Sequence, residues 1–151
     1  MRAAVRAAAL AAAIIGLDQA TKALVRANVD RGSRDAIFPG VELVNGRNTG
    51  VAFGLFEGGG AIIAIVTAVA IAALVIFFVL NRARPGVWVP TGMLLGGAIG
   101  NLIDRLVRDD GVTDFIKLPL WPAFNVADIA ITFGVLALVY VLEGPRRADS
   151  T

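Results

Sequence analysis

Two aspartates lie in a stretch of the chain that is otherwise almost wholly apolar. Residues 114–130 read DFIKLPLWPAFNVADIA, and the second aspartate, Asp128, is followed at once by the apolar run IAITFGVLALVYVL. An ionised carboxylate is costly to remove from water, and acidic residues within membrane-spanning sequence are rare and functional by default. The positions of Asp114 and Asp128 therefore predict a chemical role for the pair.

The composition limits what that chemistry can be. The chain has no histidine and no cysteine, which excludes Ser-His triads, His-ligated zinc, thiol nucleophiles and disulfides. Carboxylates remain as acid–base groups, and we expect neither a metal nor another cofactor. Two close carboxylates resist double ionisation, so one tends to hold a proton while the other takes a proton from water. That is the chemistry of aspartic proteases, and an apolar setting helps to keep one carboxyl protonated near neutral pH.

Further polar residues gather at the ends of the apolar runs. Asn125 and Asp128 are three residues apart, and Asn101 and Arg105 are four apart, so the members of each pair share a helix face. The other candidates at this depth are Asp18, Lys22, Asn48 and Asp104. These residues also have purely structural interpretations: Asn125 as a helix N-cap, Asp18 with Lys22 as an i,i+4 ion pair, and Asp104 and Arg105 as interfacial charges.

Four apolar runs are long enough to be the helices that position these residues. The chain is 57% hydrophobic and has a mean hydropathy of +0.75, so it is too apolar for a soluble domain of this length. A membrane span needs about 20 apolar residues. We predict a single domain, 1–151, with spans at about 5–25, 61–80, 87–104 and 126–143.

The first of these runs has an alternative interpretation. Its alanine-rich sequence, with Arg2 and Arg6 at the basic end, is also typical of a signal peptide. However, helix-favouring sequence continues to Val25 without a clean cleavage site. We therefore expect a retained span.

The segments between the spans differ in charge density. The termini and residues 81–86 carry six Lys/Arg in 20 residues, whereas 25–60 and 104–125 carry seven in 58. Short segments dense in Lys and Arg stay in the cytoplasm. Both termini are therefore expected in the cytoplasm, and the loops 26–60 and 105–125 outside it.

Two features suggest how the elements pack. In the first outer loop, AIFPGVELV and GVAFGLF combine β-branched and aromatic residues with Pro and Gly, which predicts short strands or a hairpin on the membrane surface. In the third span, Gly92, Gly96 and Gly100 form a stripe that allows another helix to approach closely. We expect this stripe to bring the ends of spans three and four together.

Five motifs, in order over roughly residues 14–142, resemble bacterial lipoprotein signal peptidase (signal peptidase II). They are DQATK at 18–22, NTGVAFG at 48–54, GGAIGNLIDR at 96–105, VTDFI at 112–116 and FNVADIAI at 124–131. The resemblance implies a membrane aspartyl endopeptidase that removes signal peptides from diacylglyceryl-modified prolipoproteins by cleaving before the lipidated cysteine. The implied fold is mainly α-helical and integral to the membrane, with four transmembrane helices and a small extracytoplasmic β-cradle.

The resemblance also implies roles for individual residues. Asp114 and Asp128 match the catalytic pair. The implied substrate-binding or supporting residues are Asp18, Lys22, Asn48, Asn101, Asp104, Arg105 and Asn125. We expect a monomer in the bacterial cytoplasmic membrane, in contact with lipid, inhibited by globomycin and without nucleic acid. One departure is an extra acidic pair, Asp109 and Asp110, which we interpret as part of a polar turn.

Two other classes of function are compatible with parts of the sequence. A small transporter or channel would use intramembrane carboxylates to relay protons, but its polar residues should extend through the bilayer. Here spans two and four have no ionisable residue at mid-depth. A non-catalytic assembly subunit would explain the glycine stripe but not the two aspartate motifs.

Overall fold

Each of the four apolar runs forms a helix in the computed structural model, which describes residues 2–50 and 60–144. Their boundaries agree with the predicted spans to within three residues at each end. The helices are α1 (Arg2–Asn28), α2 (Gly60–Asn81), α3 (Trp88–Val107) and α4 (Val126–Glu143).

The third helix differs from the other three in composition because it lies at the centre of the bundle. The helices Arg2–Asn28, Ala61–Asn81 and Val126–Glu143 are long and apolar enough to cross a membrane. α3 has 20 residues but includes several glycines and polar side chains. It contacts each of the other helices, so much of its surface faces protein. Such a helix needs less apolar surface than the helices that enclose it.

The glycine stripe of α3 packs mainly against α1. The ends of α3 and α4 do come together as predicted, and a Cβ atom at Gly100 would lie 3.5 Å from Ala127 Cβ of α4. A Cβ atom at Gly96 would lie 2.8 Å from Ile14 Cβ of α1. α4 also approaches the neighbouring glycine, because a Cβ atom at Gly97 would lie 2.5 Å from the carbonyl oxygen of Ala127. Successive residues of a helix point to different sides, so adjacent glycines allow α3 to contact two helices closely.

An antiparallel sheet joins the two longer loops of the chain. Its strands, in the order β1-β2-β3, are β1 (Arg34–Phe38), β2 (Val41–Asn48) and β3 (Val112–Lys117). The predicted hairpin in AIFPGVELV is confirmed. Its turn includes Gly40 at φ +80°, a conformation that favours glycine. β3 was not predicted, and GVAFGLF lies outside the described residues apart from Gly50.

The contact between α1 and α3 can be tested with a larger side chain at Gly96. Leucine there would push the two helices apart, at a cost of roughly 1–3 kcal/mol in stability. A shift of about 1 Å at a reacting group costs roughly a hundredfold in rate. We expect Gly96→Leu to insert and purify as a helical protein, yet to cleave the lipidated precursor implied by the resemblance at least about tenfold more slowly.

Gly16→Leu serves as the control, since a Cβ atom at this α1 position meets nothing within 4 Å. It should behave like wild type in a gel-shift cleavage assay. Equal activity of the two variants would show that close packing of α1 on α3 does not position the site.

Candidate active site

The two aspartates of the opening motif come from different elements and reach one cavity. Asp114 lies on β3, and Asp128 lies in the first turn of α4. Backbone hydrogen bonds between Ile116 and Phe124 fold the connecting loop back onto β3. This fold brings the start of α4 beside Asp114. Both carboxylates line a cavity of about 460 Å³.

Asn125 links the two aspartates. Its Nδ2 donates to Asp114 Oδ1 at 2.7 Å, and its Oδ1 accepts from the backbone N–H of Asp128 at 3.0 Å. Its own backbone N–H donates to Asp128 Oδ2 at 3.2 Å, which completes a capping box. The helix-cap interpretation of Asn125 is therefore confirmed. The side chain of Asn125 is fully buried, and it caps the helix of Asp128 while also donating to the carboxylate of Asp114.

Two further asparagines complete the hydrogen bonding of the pair. Asn101 Nδ2 donates to Asp128 Oδ1 at 2.8 Å, and Asn48 Nδ2 donates to Asp114 Oδ2 at 3.0 Å. All four carboxylate oxygens of the pair therefore accept an N–H group. These donors are neutral, so they hold the carboxylates in place without supplying a full positive charge.

The surroundings of Asp114 favour its protonated form. Burial, and then the nearby charge of Asp128, raises the pKa of Asp114 to about 7. Hydrogen bonds from Asn48 and Asn125 act in the opposite direction but do not cancel the rise. A carboxyl with this pKa can give or take a proton near neutral pH.

A buried ionic cluster lies behind the pair, away from the cavity. Lys22 Nζ lies 2.8 Å from Asp18 Oδ2 and 3.2 Å from Asp104 Oδ2, and it donates to Asn101 Oδ1 at 2.9 Å. The interpretation of Asp18 and Lys22 as an i,i+4 pair is thus confirmed, although the pair is fully buried rather than interfacial. The lysine and the two carboxylates of this cluster do not line the cavity.

The carboxylates of this cluster each hold the backbone next to one site aspartate. Asp18 Oδ1 accepts from the N–H of Ala127, which precedes Asp128, at 3.0 Å. Asp104 Oδ2 accepts from the N–H of Thr113, which precedes Asp114, at 3.2 Å. The cluster therefore restrains the chain on which each site aspartate is carried.

Sequence reasoning missed Gln19 as a member of this cluster. Its Nε2 lies within hydrogen-bond distance of Asp18 Oδ2, Asp104 Oδ1 and the carbonyl oxygen of Gly100, at 3.1, 3.3 and 3.0 Å. The available signal was its place within DQATK. A glutamine beside one acidic residue of a motif has no assignable partner until the fold is known.

Arg105 is the last of the predicted site residues, and the acidic pair Asp109 and Asp110 does not line the cavity. Arg105 lines the cavity and donates to the carbonyl oxygens of Asn101 and Gly50, at 3.3 and 3.2 Å. Asp110 is more than part of a polar turn, because Arg47 Nε donates to it at 2.7 Å and holds the pKa of its carboxyl below the usual range. Asp109, the other half of the acidic pair, is exposed.

The rest of the cavity wall is mostly apolar. Its apolar side chains come from α2, α3, β3, α4 and the loop before α4. They are Ile63, Val66, Ala98, Val112, Trp121, Pro122, Ala123, Phe124 and Ile131. Within residues 2–50 and 60–144, no group of three or more acidic side chains is arranged to hold a metal ion.

Comparison with known proteins now identifies the family. A family model described as signal peptidase (SPase) II matches residues 10–142. The chain belongs to this family. Two relatives named lipoprotein signal peptidase are those of Syntrophomonas wolfei subsp. wolfei, 41% identical over 138 residues, and Shouchella clausii, 40% identical over 144 residues. These alignments cover 90% and 91% of this chain, and 92% and 94% of the respective relatives.

A solved structure agrees with this assignment. It is described as a bacterial membrane enzyme determined by the in meso method at 2.3 Å resolution. The TM-score is 0.86 at 28% sequence identity, and the match covers 96% of this chain and 94% of the other. The sequence-based predictions of the family, of a mainly helical membrane fold with a small sheet, and of a peptidase that processes prolipoproteins are confirmed.

Proposed function

We propose that the chain cleaves diacylglyceryl-modified prolipoproteins before the lipidated cysteine and that Asp114 and Asp128 are its catalytic pair. The observation that carries the proposal is their convergence on one cavity with a largely apolar wall. The carboxylates supply acid–base groups for hydrolysis. The apolar wall suits a substrate made of a signal-peptide helix and acyl chains.

In the first half of the proposed reaction, water attacks the scissile carbonyl carbon. Asp128, ionised, takes one proton from the water as the new C–O bond forms. Asp114, protonated, donates its proton to the carbonyl oxygen and so stabilises the charge that would otherwise develop there. The product of this half is a neutral gem-diol, with the proton of the pair now on Asp128.

In the second half, the peptide bond breaks. Asp128 returns its proton to the amide nitrogen, which leaves as an amine. Asp114 takes a proton from one gem-diol hydroxyl as the carbonyl reforms. The pair then regains its starting protonation state, with no metal or other cofactor required.

The other polar residues divide by position. Asn48, Asn101 and Arg105 line the cavity, and Asn48 and Arg105 are proposed to contact the substrate backbone. Asn101 and Asn125 are positioning residues, because their amides bond the two aspartates. Asp18 and Asp104 lie behind the cavity, where they hold the backbone next to the two aspartates.

We further propose a setting for the enzyme. The polar site lies where α1 and α3 end and α4 begins, beside the sheet. The Lys/Arg density described above favours cytoplasmic termini, which would place this end at the outer face of the bacterial cytoplasmic membrane. The enzyme would act as a monomer in contact with membrane lipid. Globomycin is expected to inhibit it.

The catalytic pair is tested by removing one acid–base group at a time. Asn keeps the shape of Asp but cannot exchange a proton, and such groups contribute about 10²–10⁴ in rate. We expect Asp114→Asn and Asp128→Asn each to lose at least about a hundredfold in turnover of a lipidated prolipoprotein in detergent. Both variants should remain helical.

Asp109→Asn is the matched control, since Asp109 is exposed outside the pair. It should cleave like wild type. Near wild-type cleavage by Asp128→Asn would show that the aspartyl mechanism is wrong.

The orientation of the protein in the membrane is tested by thiol labelling. The native chain has no cysteine, so each introduced cysteine is the one thiol that can react. Ala83 lies in the α2–α3 turn and Asp35 on β1, and both are exposed. We expect an impermeant thiol reagent applied to intact cells to label Asp35→Cys but not Ala83→Cys. The reverse pattern would place the site on the cytoplasmic side and contradict the proposal.

A further inference from the structure

We infer that Lys22 is a positioning residue for the reaction, which fixes the direction of the amide hydrogen bonds that reach both aspartates. This inference rests on the proposed function of the Asp114–Asp128 pair. Lys22 is itself fully buried and away from the cavity, so it does not touch the substrate.

The argument starts from the hydrogen-bonding capacity of an ammonium group. Lys22 Nζ has three N–H donors and no acceptor. Its three partners are Asp18 Oδ2, Asp104 Oδ2 and Asn101 Oδ1. Each donor therefore has one acceptor, and the atom of Asn101 that faces the lysine must be its oxygen.

This first assignment determines the amides that follow. With Oδ1 of Asn101 turned to Lys22, Nδ2 is turned to Asp128, to which it donates at 2.8 Å. The same Oδ1 accepts from Asn125 Nδ2 at 3.1 Å, and that nitrogen also donates to Asp114 at 2.7 Å. A reversed Asn101 would place an oxygen against a carboxylate of the pair and remove the acceptor for Asn125.

The charge of Lys22 has a second consequence for the pair. Asp18 and Asp104 hold the backbone N–H groups next to Asp128 and Asp114. Two buried carboxylates repel each other unless a cation lies between them. Lys22 supplies that charge, so one side chain supports both the amides and the backbone of the pair.

The test removes the cation while leaving the net charge of the cluster unchanged. Lys22→Met with Asp18→Asn removes one positive and one negative charge and leaves side chains of similar shape. We expect kcat on a lipidated prolipoprotein to fall at least tenfold, with KM within twofold of wild type, because Lys22 does not contact substrate. The thermal midpoint and helicity are measured on the same samples.

A second variant tests the hydrogen bond from Asn101 to Asp128. Asn101→Asp keeps an oxygen for Lys22 but presents an oxygen, instead of an N–H, to Asp128. It should show the same loss in kcat. When the three substitutions are combined, the losses should not multiply, because both changes break one chain of hydrogen bonds. Arg82→Met, which removes an exposed cation of the α2–α3 turn, should match wild type.

The inference is overturned if the folded Lys22→Met/Asp18→Asn variant keeps kcat within twofold of wild type, or if the losses multiply in the combination. If that variant does not fold, Lys22→Gln decides, because its amide can turn either an oxygen or an N–H group to Asn101. A loss of at least tenfold in kcat then supports the inference, and a kcat within twofold of wild type overturns it. An inactive wild-type enzyme would instead refute the proposed function itself.

Discussion

A carboxylate can be buried in an apolar bundle only where hydrogen-bond donors replace the water that it loses. At Asp114 and Asp128 the donors are three asparagine side-chain amides and one peptide N–H, all of them neutral. A lysine or arginine in direct contact would favour ionisation of both groups. Neutral donors fix the positions of the oxygens and leave a proton able to move between the carboxyls and a bound reactant. The buried cation, Lys22, is kept one residue away, behind Asn101.

The packing of the helices follows from the same requirement. A buried ionic cluster is stable only if its members meet at hydrogen-bond distance, so α1 must lie close to α3. Gly100 permits this contact, because a Cβ atom there would lie 2.8 Å from Asp18 Oδ2. From that position Asp18 reaches the backbone at the start of α4. Small residues on α3 and polar residues at its end therefore serve one arrangement, in which the central helix holds the others around the site.

Much of this arrangement was predictable from the sequence, and the exceptions have a common cause. Apolar runs predict helices because membrane spans require them, and a Pro-Gly pair predicts a turn. By contrast, β3 is six residues long, and its pairing partner lies far away in the chain. The glycine stripe defines one face of α3 but not which helix contacts it. Likewise, the spacing of Asp18 and Lys22 is the same for an exposed pair and a buried one. Each unpredicted feature depends on a partner that is distant in sequence.

The central claim is that the two aspartates carry one exchangeable proton near neutral pH, and infrared spectroscopy of protein with ¹³C-labelled aspartate carboxyls measures this most directly. We expect a protonated-carboxyl band that is present at lower pH and lost as the pH rises through about 7, the pKa of Asp114. The band should be absent from Asp114→Asn. It should titrate at lower pH in Asp128→Asn, where the neighbouring charge is gone. Ordinary aspartates ionise near pH 4, so a wild-type protein without any aspartate band that titrates above about pH 5 would contradict the mechanism.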